Sequence, residues 1–278
     1  MKSVSSLTEE IELQLLLEAI FLRYHHDFRG YSLTSLKRRL TQAKQHFGCE
    51  SFSQLQDRVL HDESMIGQLL PFLTVQVTKM FRDPGYFLAL REKVIPHLHT
   101  YPSLKVWVAG CSSGEELYSL VILFREEGLE NRTIFYATDI NHTALAQAEA
   151  GVYELDRISL FTANHQKAGG KSSLSDYYST GYGRAMFDKS LRQRVVFSDH
   201  SLASDAVFTE AHLVSCRNVL IYFTRPLQDR AVGLFGDSLV RRGFLGLGAE
   251  ESLRFSARVQ DFEEFDRNER IYQKRADL

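Results

Sequence analysis

The feature that most constrains the fold is a series of short apolar runs after Pro102, each separated from the next by more chain than a hairpin needs. They are "KVWVAG" (105–110), "TIFYATD" (133–139), "VVFSD" (195–199), "AHLVSC" (211–216), "FLGLG" (244–248) and "RIYQK" (270–274). Antiparallel neighbours can be joined by two residues, whereas parallel strands need a crossover of a dozen or more, usually a helix. The spacing therefore predicts an α/β sheet, with helices over 115–127, over 142–150 stopped by Gly151, and over 226–242 stopped by Gly243. One interval breaks the rhythm. Residues 159–194 contain "KAGGKSS" and "YYSTGYGRAMF", too rich in glycine and serine for a crossover helix, and read as an insertion holding a small hairpin after one short helix.

Before residue 100 the periodicity is helical. A capping-box pattern at Ser6 and Glu9 precedes Ile11, Leu15, Ala19 and Leu22 at helical spacing. In "YSLTSLKRRLTQAKQHFG", Leu33, Leu36, Leu40, Ala43 and Phe47 fall on one side, Lys37, Arg38 and Lys44 face water with Arg39 at their flank, and Gly48 is a C-terminal stop. Further helices near 52–60 and 64–73 complete a helical unit. The expected division is a helical domain over 1–85 and a sheet-bearing domain over 86–278, which 278 residues with 44% apolar content can supply with cores. A net charge of −2 gives no global bias toward polyanions, so nucleic acid is not an expected partner. Three scattered cysteines without a CxxC pair fit a reducing cytoplasm. No apolar run approaches the roughly 18 residues of a membrane span, and "MKSVSSLTEE" lacks a signal-peptide core, so a soluble, unexported chain is expected. A monomer is the expected state, though no sequence feature decides it.

The chemistry concentrates in "WVAGCSSGEELYSL" (107–120), a buried strand that turns at glycines and restarts as a helix. Gly110 and Gly114 let backbone approach a ligand beyond the strand ends, and Asp139, ending the next strand, can accept both hydroxyl protons of a ribose. A dinucleotide would need GxGxxG and bare N–H groups at the helix start for its pyrophosphate. Glu115 and Glu116 stand there instead. They repel a pyrophosphate and welcome an ammonium or sulfonium, which points to S-adenosylmethionine. Adjacent helix positions diverge by about 100°, so only one of the two can aim well at the ligand, and the sequence leaves open which.

Four stretches together resemble the CheR chemotaxis receptor methyltransferases: "LTVQVTKMFRDPGYF" (73–87), "AGCSSGEELYS" (109–119), "YATDIN" (136–141) followed by "GVY" (151–153), and "VSCRNVLIYF" (214–223). The resemblance implies a Rossmann-like methyltransferase sheet, an N-terminal all-helical domain and a small inserted β-subdomain. It implies methyl transfer from S-adenosylmethionine to chemoreceptor glutamates, giving methyl esters and S-adenosylhomocysteine, with no metal. Position by position, it puts cofactor contacts on Gln76, Thr78 and Arg82, on Gly110 and the Glu115/Glu116 pair, and on Asp139 with Ile140 at the ribose. Ser201 and Leu202 then flank the adenine, followed by Arg217 and Asn218, with Tyr222 nearest the reacting methyl. Arg82 and Tyr222 are the residues it implies for catalysis, and Lys37, Arg38, Arg39 and Lys44 those for docking the acidic methylation region of the receptor.

The sequence departs from that family where Gln76 and Ser201 replace asparagine, Leu117 replaces proline, and "GLGAEESLRFS" keeps Glu251 but lacks the family's histidine. No departure removes a group that does chemistry. A glutamate with a pKa near 4.3 is ionised at neutral pH and needs no general base, so none of the ten histidines is given a catalytic role. The compact stretch from Tyr177 to Phe197 suggests independence from a receptor C-terminal pentapeptide. Three other readings stay open: an NAD-dependent oxidoreductase, which fails at Glu115, a non-catalytic signalling module that keeps the fold and S-adenosylmethionine binding, and methylation of a non-receptor protein.

Overall fold

The protein is described by a computed structural model covering residues 4–76 and 78–276. Four helices come first: α1 (Val4–Tyr24), α2 (Leu33–His46), α3 (Phe52–His61) and α4 (Ser64–Leu73). They close on a core of their own, in which Leu16, Leu36, Leu40, Phe52, Leu55 and Leu69 are fully buried. Since α1 already starts at Val4, Ser6 lies inside the helix and not at its cap. The buried row of α1 is Leu13, Leu16, Leu17 and Ile20, joined by Ala19 from the expected row, whereas Ile11, Leu15 and Leu22 are exposed. Both rows have helical spacing, and the packing of α3 against α1 selects one. Gly48, at φ +63°, ends α2 as expected, its N–H bonding back to Gln45 and that of Cys49 to Lys44.

The second part holds helices α5 (Pro84–Ala89) and α6 (Ile95–Leu98), joined by a π-helical turn at Leu90–Val94, and a seven-stranded sheet. Its strands are β1 (Leu104–Ala109), β2 (Thr133–Asp139), β6 (Val195–Asp199), β7 (Ala211–Cys216), β8 (Leu239–Leu247), β9 (Phe262–Asp266) and β10 (Ile271–Lys274), in the order β6-β2-β1-β7-β8-β10-β9. The first five run parallel and β10 lies antiparallel between β8 and β9. Alternate residues of β1 serve opposite faces: Val106 and Val108 pack under α7 (Glu115–Glu126), and Trp107 and Ala109 pack against α10 (Arg225–Ser238). Crossovers on both faces account for the near-continuous apolar character of these strands. Among the described residues no helix is long and apolar enough to cross a membrane.

Two expectations at the C-terminal end are corrected. The helix expected over 226–242 ends at Ser238, and its last turn is instead the start of β8, where Leu239 pairs with Ala211 before a register shift. Gly243 marks that irregularity: a Cβ there would meet the Val240 carbonyl at 2.9 Å. The strand β9 has no counterpart in the sequence reading, because Glu263 and Glu264 face water on an edge strand and blunt its apolar signal.

The inserted unit also begins earlier than residue 159. After α8 (His142–Ala150), stopped by Gly151 at φ +64°, the strand β3 (Val152–Glu154) already belongs to it. With β4 (Tyr178–Gly181) and β5 (Arg184–Phe187) it forms an antiparallel sheet in the order β3-β5-β4, with α9 (Ile158–Lys167) between. The unit is tied down by Glu126 at the end of α7. That carboxylate pairs with Arg91 and accepts from His165, Ser172 and Tyr177.

Candidate active site

The turn after β1 is fastened to the end of β2. The Gly110 and Cys111 N–H groups both donate to the Thr138 carbonyl, at 2.8 and 2.9 Å. Gly110 has φ +72°, and a Cβ there would come within 2.6 Å of Val219, so only glycine lets the 217–223 loop close down on the turn. Helix α7 then starts with the two acids, which have opposite fates. Glu115 is fully buried away from the cavity, in an ion pair with Arg157 at 2.6 Å, and accepts from the Ser113 hydroxyl. Glu116 faces the cavity; it accepts from the Ser215 hydroxyl at 2.7 Å and pairs with Arg217 at 3.4 Å.

Asp139 ends β2 and is itself on the cavity wall. It accepts from the N–H groups of Ser112 and Asn141, each at 2.9 Å, and burial pushes its carboxyl above the ordinary range. Asn141 caps α8 through its side-chain oxygen and donates its amide to Thr74. Thr74 in turn accepts from Gln76, and Gln76 accepts from the Ser112 hydroxyl at 2.7 Å. The segment leaving α4 is thereby stitched to the glycine turn and to the end of β2.

The third side is the loop after β7. Arg217 stacks on Tyr86 with its Cζ 4.1 Å from the ring centroid and pairs with Asp83 at 2.9 Å. Asn218 adopts φ +62°, an uncommon conformation held by Glu251. The Glu251 carboxylate is buried and accepts from the N–H groups of Asn218, Ile221 and Gly248. Burial outweighs those bonds and raises its carboxyl. Next, the Ser32 N–H donates to the Tyr222 carbonyl at 2.8 Å, the Thr224 N–H to Gly30, and Tyr31 bridges to Phe223. These bonds dock the helical unit against the sheet at the rim of the site.

Docking brings Arg39 inward. It is 8% exposed, bonds the Leu73 carbonyl through Nη1, lies with its Cζ 5.7 Å from the centre of the Tyr222 ring, and leaves Nη2 buried without a partner. The expectation that Arg39 shares the exposed cationic sector of α2 is therefore corrected. Lys37, Arg38 and Lys44 remain on the outer side, Lys37 paired with Glu9 at 2.7 Å.

These walls enclose an open cleft of about 860 Å³ including its mouth, within the range of small-molecule sites. Of the residues singled out in the sequence, Gln76, Thr78 and Arg82 reach it from the segment after α4. Gly110 and Glu116 reach it from the turn, Asp139 and Ile140 from β2, and Leu202 from beyond β6. Arg217, Asn218 and Tyr222 come from beyond β7. Glu115 does not line it, and neither does Ser201, whose N–H and hydroxyl shape the turn to Asp205. Sequence reasoning missed Tyr31, Arg39, Leu73, Thr74 and His200 on the wall. Arg39 carried no usable signal: at 100° per residue it and Lys44 both lie about 70° from the mean direction of Leu36, Leu40 and Ala43, on opposite sides. Only the presence of α4 and the cavity on one of those sides distinguishes them.

Comparisons with known proteins cover both the helical and the sheet-bearing part of the chain. Residues 76–269 match the family model described as CheR methyltransferase, SAM binding domain, and residues 11–74 match CheR methyltransferase, all-alpha domain. A Pseudomonas putida protein named Cher3 is 54% identical over 265 residues, covering 95% of this chain and 97% of its own length. A chemotaxis protein methyltransferase of Listeria innocua is 31% identical, covering 82% of this chain and 84% of its own. An uncharacterized 104.1 kDa protein of Rhodobacter capsulatus is 31% identical over 93% of this chain, which spans only 27% of that protein.

Proposed function

The chain belongs to the CheR methyltransferase family, and from that premise we propose that it transfers a methyl group from S-adenosylmethionine to glutamate side chains of chemoreceptors in the cytoplasm. The observation that carries the choice of acceptor is the Arg39 Nη2 group, buried without a partner beside Tyr222 on the cavity wall. An unpaired buried guanidinium nitrogen is costly, and a carboxylate is the group that satisfies it best.

The residues present fit the cofactor. Asp139 offers a carboxylate to the two hydroxyls of the ribose, and Ile140 and Leu202 offer apolar faces to a flat base. Glu116, which lines the cavity where Glu115 does not, serves as the acid for the ammonium end, and Arg82, also on the lining, serves the methionine carboxylate. S-adenosylmethionine supplies a methyl group on a positively charged sulfur. A carboxylate oxygen of the acceptor forms the new C–O bond as the S–CH3 bond breaks, the bonding pair returns to sulfur, and the products are a methyl ester and neutral S-adenosylhomocysteine. No proton moves, so the work of this chain is orientation and exclusion of water. Arg39 and Tyr222 hold the acceptor carboxylate in line, and the Glu251 clamp keeps the 217–223 loop in place. Arg38 and Lys44, outside the cavity, steer the acidic receptor helix toward its mouth.

The test is incubation with methyl-labelled cofactor and receptor-bearing membranes, followed by base treatment. Release of labelled methanol is the expected result. A stable label, or none on any receptor, overturns the glutamate ester.

A further inference from the structure

One buried acceptor on the cavity wall is unused in the reading above. His200 follows β6, lines the cavity beside Leu202 and is only 8% exposed. Its ring stands edge-on to Trp107 with centroids 5.3 Å apart and packs against Phe208 at 5.1 Å. Its Nε2 lies 3.2 Å from the Ala206 carbonyl oxygen. A carbonyl oxygen can only accept, so Nε2 carries the proton, and in the neutral ring Nδ1 is left as a bare acceptor. That Nδ1 is buried and has no partner. Buried polar atoms are paired in the large majority of cases. An orphaned acceptor on a ligand cavity therefore calls for a donor that arrives with the ligand.

The sheet order says which part of the ligand arrives there. Asp139 lies at the end of β2; on one side of β2 come β1 and β7, which lead to Glu116, Arg217 and Tyr222, and on the other side comes β6. A ligand with its ribose on Asp139 and its methionine end toward Glu116 lays its base toward β6. There Ile140 and Leu202 line the cavity, and His200 supplies a polar atom where Ser201 does not reach the wall. Adenine carries an exocyclic amine with two N–H donors, whereas hypoxanthine carries an oxygen at the same ring position. We propose that His200 Nδ1 accepts a hydrogen bond from the exocyclic amine of adenine and so selects adenine over 6-oxopurines. This rests on the S-adenosylmethionine reading above and assigns the base-recognition role within it.

The test is calorimetric titration of the full-length protein, wild type and His200→Phe, with S-adenosylhomocysteine and with its inosine analogue, alongside a melting curve for each protein. Phenylalanine keeps the ring contacts and removes the acceptor. Wild type is expected to prefer the adenine ligand by about tenfold or more, and His200→Phe to bind it about tenfold less tightly with a preference below about threefold. Equal binding of the two ligands by wild type, or a full preference retained in His200→Phe, overturns the proposal. If the variant does not fold, the ¹⁵N resonance of Nδ1 in labelled wild type decides: it shifts on adding S-adenosylhomocysteine and far less with the inosine analogue, whereas equal shifts overturn the proposal. Wild type that binds neither ligand overturns the cofactor reading itself, and this inference with it.

Discussion

The two walls of the cavity are built in different ways. On the sheet side, Gly110, Glu116, Asp139 and Asn218 sit at strand ends or in the turns that follow them, and the pairing of those strands brings them together, with Glu251 holding Asn218. On the helical side, Tyr31, Arg39 and Leu73 come from three separate segments and reach the cavity only because the whole helical unit docks through Gly30, Ser32 and Thr74. On the proposed function, the difference teaches that the cofactor groups stand beside strand-ending runs that can be read in the sequence, while the acceptor groups are assembled by packing of the helical unit. Changes to the first wall should therefore weaken ligand binding directly, and changes to the second should spare it.

The largest expected effect is on the sheet wall. Asp139→Ala removes the acceptor for two hydroxyls and should weaken S-adenosylhomocysteine binding by about 100-fold or more by calorimetry. An unchanged Kd would put the ribose elsewhere. Next comes Glu251→Gln, which turns an amide N–H2 toward the backbone donors that hold Asn218 and Ile221. Affinity and turnover should each fall about tenfold.

The paired acids sharpen the comparison within one turn of helix. Glu116→Gln should cost about tenfold in affinity with little change in Tm. Glu115→Gln, which breaks the pair with Arg157 behind the wall, should lower Tm by about 5 °C and leave affinity within about twofold. Reversed behaviour would exchange their roles.

The smallest effect lies away from both walls. Burial alone would raise the Glu126 carboxyl, but the bonds from His165 and Ser172 and the charge of Arg91 hold it down at about 2, below its ordinary 4.5. Because the folded-state value is depressed, its contribution of about 3 kcal/mol is present above pH 4.5 and is lost as pH falls toward 2. Melting curves of wild type and Glu126→Gln should therefore differ at pH 6, differ by less than half as much at pH 3 and converge only near pH 2, with cofactor affinity at neutral pH the same in both.

How much was legible in advance follows the same division. The strands β1, β2, β6 and β7 and the turn residues could be read because an apolar run and its glycine or acid are contiguous in sequence. The start of β8 could not, since "SLVRRG" has no apolar alternation and is made a strand by its partner Ala211. Arg39 lies in a run of three basic residues, where its neighbours look alike on a helical projection. Likewise nothing in "DHSLASD" tells that His200 faces the cavity and Ser201 does not. In each case the deciding partner is distant in the chain.

The central claim is that the two walls serve different substrates, and Arg39→Ala tests it most directly. Its S-adenosylhomocysteine Kd and its rate of methyl transfer to receptor-bearing membranes are measured against wild type. The account predicts a Kd within about threefold of wild type and a transfer rate lower by about 100-fold. A Kd weakened as far as that of Asp139→Ala, or a transfer rate left unchanged, would contradict it.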